Sequence, residues 1–132
     1  VFPIHDLFVK RLSPQSSAVG RRLPVLRYTD HLLRRFGMAE AIELNAGQSM
    51  GPQLRTVADE AWALVEGQVE FEWEDRREGS PTRGRVHRLR CNEPTLVLAP
   101  FGVAFACRAV DGPARLIRLA SHAPDEIEDL VV

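Results

Sequence analysis

Four histidines, two cysteines and a dense set of arginines are the side chains here most able to do chemistry. Their spacing narrows what that chemistry is. His5 and His31 fall in a weakly patterned stretch, and His87 alternates with arginines on an expected outer face. The histidines form no metal cluster, and Cys91 and Cys107 give neither a metal spacing nor a disulfide framework. No serine sits in a nucleophile elbow, and no glycine-rich phosphate loop is present. Proton transfer and polar binding remain. His122, between Ser121 and Ala123-Pro124, reads either as a proton-transfer group tuned by Asp125 or Glu126 or as an exposed loop histidine.

Strands must carry these groups, because from residue 39 onward the apolar period is two. Residues 39–44 read as a strand followed by a loop over 45–52, and 60–65 as a second strand. Over 68–74, Val69, Phe71 and Trp73 alternate with Glu70, Glu72 and Glu74, which marks one buried and one solvated face. Gly67 between two such runs predicts a tight hairpin. Strands over 84–90, 95–98, 103–110 and 114–120 follow. Turn formers such as Ser80-Pro81-Thr82, Pro100-Phe101-Gly102 and Asp111-Gly112-Pro113 separate them. So many short strands with regular turn signals predict an all-β antiparallel sandwich or barrel.

Ahead of them, residues 1–22 read as irregular, with Phe2, Ile4, Leu7 and Phe8 packing as a short apolar arm. Thr29 and Asp30 predict the cap of a short helix near residues 30–36, carrying Leu32, Leu33 and Phe36 and stopped by Gly37. The acidic run 125–130 reads as a short helix or a fraying end. A length of 132 residues suits one domain: an arm and helix over 1–38, a barrel core over 39–121 and a tail over 122–132.

A formal net charge of −1 gives no signal for nucleic acid or an anionic membrane surface. Lys10 is the only lysine among the 17 basic residues, a bias that fits either GC-rich codons or bidentate anion contacts. No apolar run approaches a membrane span and no leader is recognisable, so a cytoplasmic protein with reduced thiols is expected, Cys107 acting as a buried hydrophobe.

Two stretches resemble the paired motifs of cupins, small jelly-roll barrels that often hold a metal. Gly47, Glu60 and Gly67 fit the first motif, with Gln53 and Arg55 where cupins place a His-x-His pair. Pro100-Phe101-Gly102 fits the second, with Phe105 at its histidine position. Arg does not give up its proton to ligate a cation, Phe has no donor atom and Gln is a weak neutral ligand. Glu60 alone remains, so neither a metal nor any other cofactor is expected.

Residues 62–121 also resemble dTDP-4-dehydrorhamnose 3,5-epimerase and its relatives, the RmlC-like cupins that act on sugar nucleotides without a cofactor. Gly67-Gln68-Val69, Asp75, Arg77, Ser80-Pro81-Thr82 and the run from Pro100 to Cys107 fall at that family's offsets, and Leu116 to Ser121 is similar to the last core strand of related ketoisomerases. The departures fall on the chemistry. The family's histidine base lines up with Gln53, whose amide cannot abstract a proton, and the lysine that steadies the enolate corresponds to Glu60. Its second histidine corresponds to Phe105, and its tyrosine acid has no counterpart near the matching position.

The resemblance therefore implies a jelly-roll barrel in which Gln53, Arg55, Glu60 and Trp62 face inward. Two readings stand. These residues, with Phe105, form a metal-free pocket for a small polar ligand such as a sugar or sugar nucleotide. Alternatively, Arg55 and Glu60 are an internal ion pair beside a core tryptophan. Arg77 reads either as a phosphate contact or as part of a solvated rim of arginines facing glutamates across strands. Three functions follow: a binding protein without epimerase chemistry, an epimerase or ketoisomerase using Glu60 or His122 as the catalytic base, and a structural or regulatory homodimer whose N-terminal arm crosses to a partner.

Overall fold

The alternation along the sequence is built as two antiparallel sheets that share one apolar core. A computed structural model describes residues 3–124. In chain order its strands are β1 (Val9–Arg11), β2 (Gln15–Ser17), β3 (Gly20–Arg22), β4 (Met38–Leu44), β5 (Ser49–Gln53), β6 (Glu60–Glu66), β7 (Val69–Asp75), β8 (Val86–Cys91), β9 (Thr95–Ala99), β10 (Val103–Ala109) and β11 (Ala114–Ala120). One sheet runs β1-β9-β6-β11-β4 and the other β5-β10-β7-β8, while β2 and β3 form a separate hairpin.

β7 shows how side-chain period sets the layers. Val69, Phe71 and Trp73 are fully buried among Trp62, Leu64, Phe105 and Leu116. Glu70, Glu72 and Glu74 point outward, where Arg108, Arg88 and Arg76 pair with them. Each buried ring contributes about 2–3 kcal/mol, and each solvated ion pair at most about 1 kcal/mol. The inner face therefore fixes the register.

Several sequence expectations are corrected. Gly67 turns no hairpin, because β6 pairs with β9 and β11 while β7 pairs with β8 and β10. The chain crosses between sheets there at φ +98°, and a Cβ would lie 2.5 Å from the Pro113 carbonyl oxygen, so only glycine fits. No helix forms over 30–36. A single 3-10 turn, Tyr28–Asp30, ends at His31 in the left-handed region with φ 51°. The apolar residues around it, Leu26 and Leu32 with Leu23 and Val25, instead pack over Ala61, Ala63 and Leu96 on the outer face of the five-stranded sheet.

The first 22 residues are also more ordered than expected. β1 adds to the edge of β9, with Val9 opposite Val97, and Ile4 is fully buried in the main core. The arm thus packs on its own barrel. The predicted loop over 45–52 contains most of β5, which pairs with β10 through a register shift between Phe105 and Cys107. His87 faces inward and stacks on Trp73, ring centroids 5.6 Å apart. Phe2 and the acidic run 125–130 lie outside the described residues.

Both cysteines are buried and unbonded. Burial, with a smaller push from Cys91, drives the Cys107 thiol up to about 12. The two thiols project from β8 and β10, which flank β7. Two strand spacings, about 9.5 Å, exceed the reach of a disulfide. No helix among the described residues is long and apolar enough to cross a membrane.

Candidate functional site

On β6, Glu60 and Trp62 share the inward face. Glu60 is 4% exposed and both its carboxylate oxygens are engaged. Oε1 accepts from Trp62 Nε1 at 3.0 Å. Oε2 accepts from Arg55 Nε at 3.3 Å and from Arg118 Nη1 at 2.7 Å. Arg118 also reaches Glu40 on β4, Nη2 to Oε1 at 2.9 Å, and its buried Nε has no acceptor among the described residues.

Gln53 ends β5 directly opposite Phe105 on β10, and its Oε1 accepts from Arg55 Nη2 at 3.0 Å. Arg55 is positioned by the turn after β9, where Gly102 N–H donates to its carbonyl at 2.7 Å. Phe105 packs 5.3 Å from the Trp62 ring and 5.7 Å from Phe71, filling the centre. Between Met50, Gln53, Arg55, Glu60, Trp62 and Phe105 the cavity is about 10 Å³. That is room for about one water molecule, and a hexose does not fit in this arrangement.

The structure therefore brings Gln53, Arg55, Glu60, Trp62 and Phe105 together, as the spacing implied. The internal Arg55–Glu60 ion pair is present, but it is half of a larger unit. Sequence reasoning missed Arg118 and Glu40. A signal was available: each is the charged residue on the inward parity of its strand, Arg118 among Ala114, Leu116 and Ala120, and Glu40 beside Ile42 and Leu44.

Arg77 and His122 stand apart from this cluster. Arg77 donates from its backbone N, Nε and Nη2 to the carboxylate of Asp75 at 3.0 Å each, from Nη1 to Asp6 at 3.3 Å and from Nη2 to the His5 carbonyl at 2.6 Å. Ser80 and Thr82 hydroxyls each donate to Asp75 Oδ2 at 2.6 Å. Burial would raise the Asp75 pKa, but these bonds from Arg77, Ser80 and Thr82 outweigh it and hold the carboxyl well below the usual range. The motif that resembled a phosphate contact here fastens the N-terminal arm. His122 Nδ1 lies 2.9 Å from Ser121 Oγ, its backbone packs against Gly37, and its side chain does not line the cavity.

Among the described residues, no three His, Cys, Asp or Glu side chains are grouped to share a metal ion. No family model and no curated protein matches the sequence. Solved structures do. A dTDP sugar isomerase from Desulfovibrio desulfuricans superposes with a TM-score of 0.84 at 21% identity over 92% of this chain and 80% of that one. A double mutant of a 3'-monoepimerase from Streptomyces bikiniensis, in complex with dTDP, gives 0.81 at 19% over 91% and 65%. The dTDP-4-dehydrorhamnose 3,5-epimerase of Elizabethkingia anophelis gives 0.78 at 16% over 93% and 73%.

The chain has the RmlC-like cupin fold.

Within that fold it spans 65% of the monoepimerase's length. The all-β jelly-roll expected from the motifs is thus the observed one, and the RmlC-like barrel here is packed at its centre by Trp62 and Phe105 with Glu60 ion-paired between two guanidiniums.

Proposed function

We propose that this RmlC-like cupin is a metal-free binding protein that takes a small polar ligand, a sugar or sugar nucleotide, at the mouth of its barrel without performing epimerase chemistry. The observation that supports this is the state of Glu60. A general base needs a lone pair aimed at the substrate proton, and both Glu60 oxygens already accept from Trp62, Arg55 and Arg118. Gln53 offers an amide in place of a base, and His122 is not among the residues lining the cavity. The polar groups nearest the mouth, Gln53 and Arg55, suit hydrogen bonding to a ligand, with Trp62 and Phe105 as an apolar floor.

Isothermal titration with dTDP, dTDP-hexoses and free sugars tests the binding, and proton exchange in deuterated solvent tests the chemistry. The expected outcome is heat with a member of this panel and no deuterium entering a dTDP-4-keto-6-deoxyhexose. Deuterium incorporation that disappears in Glu60→Gln or His122→Ala would instead establish an epimerase or ketoisomerase.

A second reading, the homodimeric module, is favoured by the outer face of the five-stranded sheet. Leu23, Val25, Leu26 and Leu32 cover part of it, while Ile117 and Leu119 remain half-buried and Ala39 and Ala41 on β4 exposed. Such a face suits a two-fold partner. A monomer in sedimentation at micromolar concentration removes this reading.

A further inference from the structure

The N-terminal arm meets the barrel at the rim that borders the cavity. The Phe8 carbonyl accepts from Leu98 N–H at 3.0 Å, which leads the arm along β9 toward Ala99 and Pro100, and both of these line the cavity. Arg77, which fastens the arm, lies two residues past Asp75, and Asp75 stands opposite Val103, another lining residue. Ile4 is fully buried in one cluster with Trp62, Val103 and Phe105. The arm is therefore part of the packing that closes the interior down to about 10 Å³.

Its fastenings come undone without cost to the barrel side. Residues 3–7 are held by His5 N–H on Thr82 Oγ1 at 2.9 Å and by Arg77 on the His5 carbonyl and Asp6. If they lift, Arg77 keeps Asp75 through its backbone N–H and Nε, and Thr82 Oγ1 still donates to Asp75. No buried charge or hydroxyl loses its last partner, so the usual penalty for undoing a buried polar contact is absent there. Asp6 also sits at φ 68°, a left-handed conformation that a residue with a side chain rarely keeps without tertiary support. Past Phe8, Val9–Arg11 stays laddered to β9.

We propose that residues 3–7 are a hinged strap over the barrel rim, and that a ligand enters when the strap lifts about Phe8 while Arg77 stays on Asp75. This rests on the binding function proposed above and names how its site is opened. The closed cavity holds about one water molecule. Withdrawing Ile4 and the half-buried Leu7 frees apolar volume within the same core cluster. A segment with one fully buried side chain and solvent-facing fastenings opens at a lower free energy than the sheets it covers.

The test compares the wild type with Asp6→Lys, which sets a cation against Arg77 at a side chain that is 60% exposed and carries no core contact to lose. Native-state hydrogen exchange follows the amides of His5 and Leu7 against those of Phe71 and Trp73 in β7. In the wild type the arm amides should open at least about tenfold more often than those of β7. Asp6→Lys should raise arm opening about fivefold more and leave Phe71 and Trp73 unchanged. Trp62 and Trp73 are the only tryptophans and both are buried, so acrylamide quenching reports access to the interior without any ligand. Quenching should rise in Asp6→Lys, and in stopped flow dTDP or dTDP-glucose should enter about fivefold faster. Three results overturn the strap and leave the binding function standing: arm amides that exchange in step with β7, arm opening with no change in quenching, or equal entry rates in the two proteins. Binding of neither dTDP, dTDP-glucose nor glucose by either protein overturns the binding function and the gating role together.

Discussion

Asp75 at the end of β7 and Glu60 at the start of β6 are both buried carboxylates met by arginine, yet they are built from opposite materials. Every side chain that donates to Asp75 lies within seven residues of it: Arg77, Ser80 and Thr82. Glu60 draws on Trp62 two residues away, Arg55 five away and Arg118 fifty-eight away. Asp75 is fully buried, and its cluster reaches outward to fix the arm through Asp6 and His5. The Glu60 cluster reaches inward and leaves one donor, Arg55, partly in solvent. A carboxylate saturated by its own turn is a structural knot. One held by strands from several directions, with a partner to spare, is adjustable.

The sharpest way to break this comparison is Asp75→Ala. It removes the shared acceptor of Arg77, Ser80 and the buried Thr82 hydroxyl, leaving Arg77 only Asp6 and the His5 carbonyl, so a loss of about 3 kcal/mol is expected in urea denaturation. The same carboxyl carries a pH signature. Its folded pKa lies below the ordinary 3.8, so its contribution is present above that value and drains away as pH falls through the lower folded value. Stability measured from pH 5 downward should fall more steeply in wild type than in Asp75→Asn. Parallel curves would show that Asp75 is not the acid-sensitive group.

Arg118→Met comes next, at about 2–4 kcal/mol, because Glu60 retains Arg55 while Glu40 has solvent to fall back on. Gly102→Ala probes the arm side. Its Cβ would lie 2.4 Å from Arg77 Cγ at a backbone φ of +83°, so a loss of about 1–3 kcal/mol is expected, with faster hydrogen exchange at Leu7. For Glu60 itself Arg55→Met should matter least, at about 1 kcal/mol or below, since Arg118 and Trp62 still engage both carboxylate oxygens. Equal losses from Arg55→Met and Arg118→Met would erase the distinction between a fixed and an adjustable partner.

The same contrast explains what could be read before the structure. The Asp75 turn was visible because its residues are neighbours and their offsets form a motif, although the motif could not say that Arg77 would be spent on the arm. Alternation over Val69 to Glu74 locates a strand and its buried face, and the cupin spacing places Gln53, Arg55, Glu60, Trp62 and Phe105 together. Arg118 and Glu40 stand out only as charges on the inward parity of their strands; that Arg118 bridges Glu60 and Glu40 depends on β11 pairing with both β6 and β4, which no local pattern encodes. Gly67 misled for a related reason: a glycine between two strands marks a sharp change of direction, and whether those strands then pair is settled by the whole sheet order. Around residues 30–36 the apolar spacing was real, but it serves contact with Ala61, Ala63 and Leu96 in extended chain rather than a helix.

β1 is only three residues long, exposed throughout, and carries Lys10 and Arg11. It forms the edge of the five-stranded sheet beside β9, whose Thr95–Ala99 segment is largely buried and apolar. An apolar strand with an open edge recruits other chains, whereas a short charged edge repels them. The arm that Arg77 ties down therefore has a protective role in solution: it presents the barrel to its neighbours as a charged border and keeps β9 from seeding aggregates.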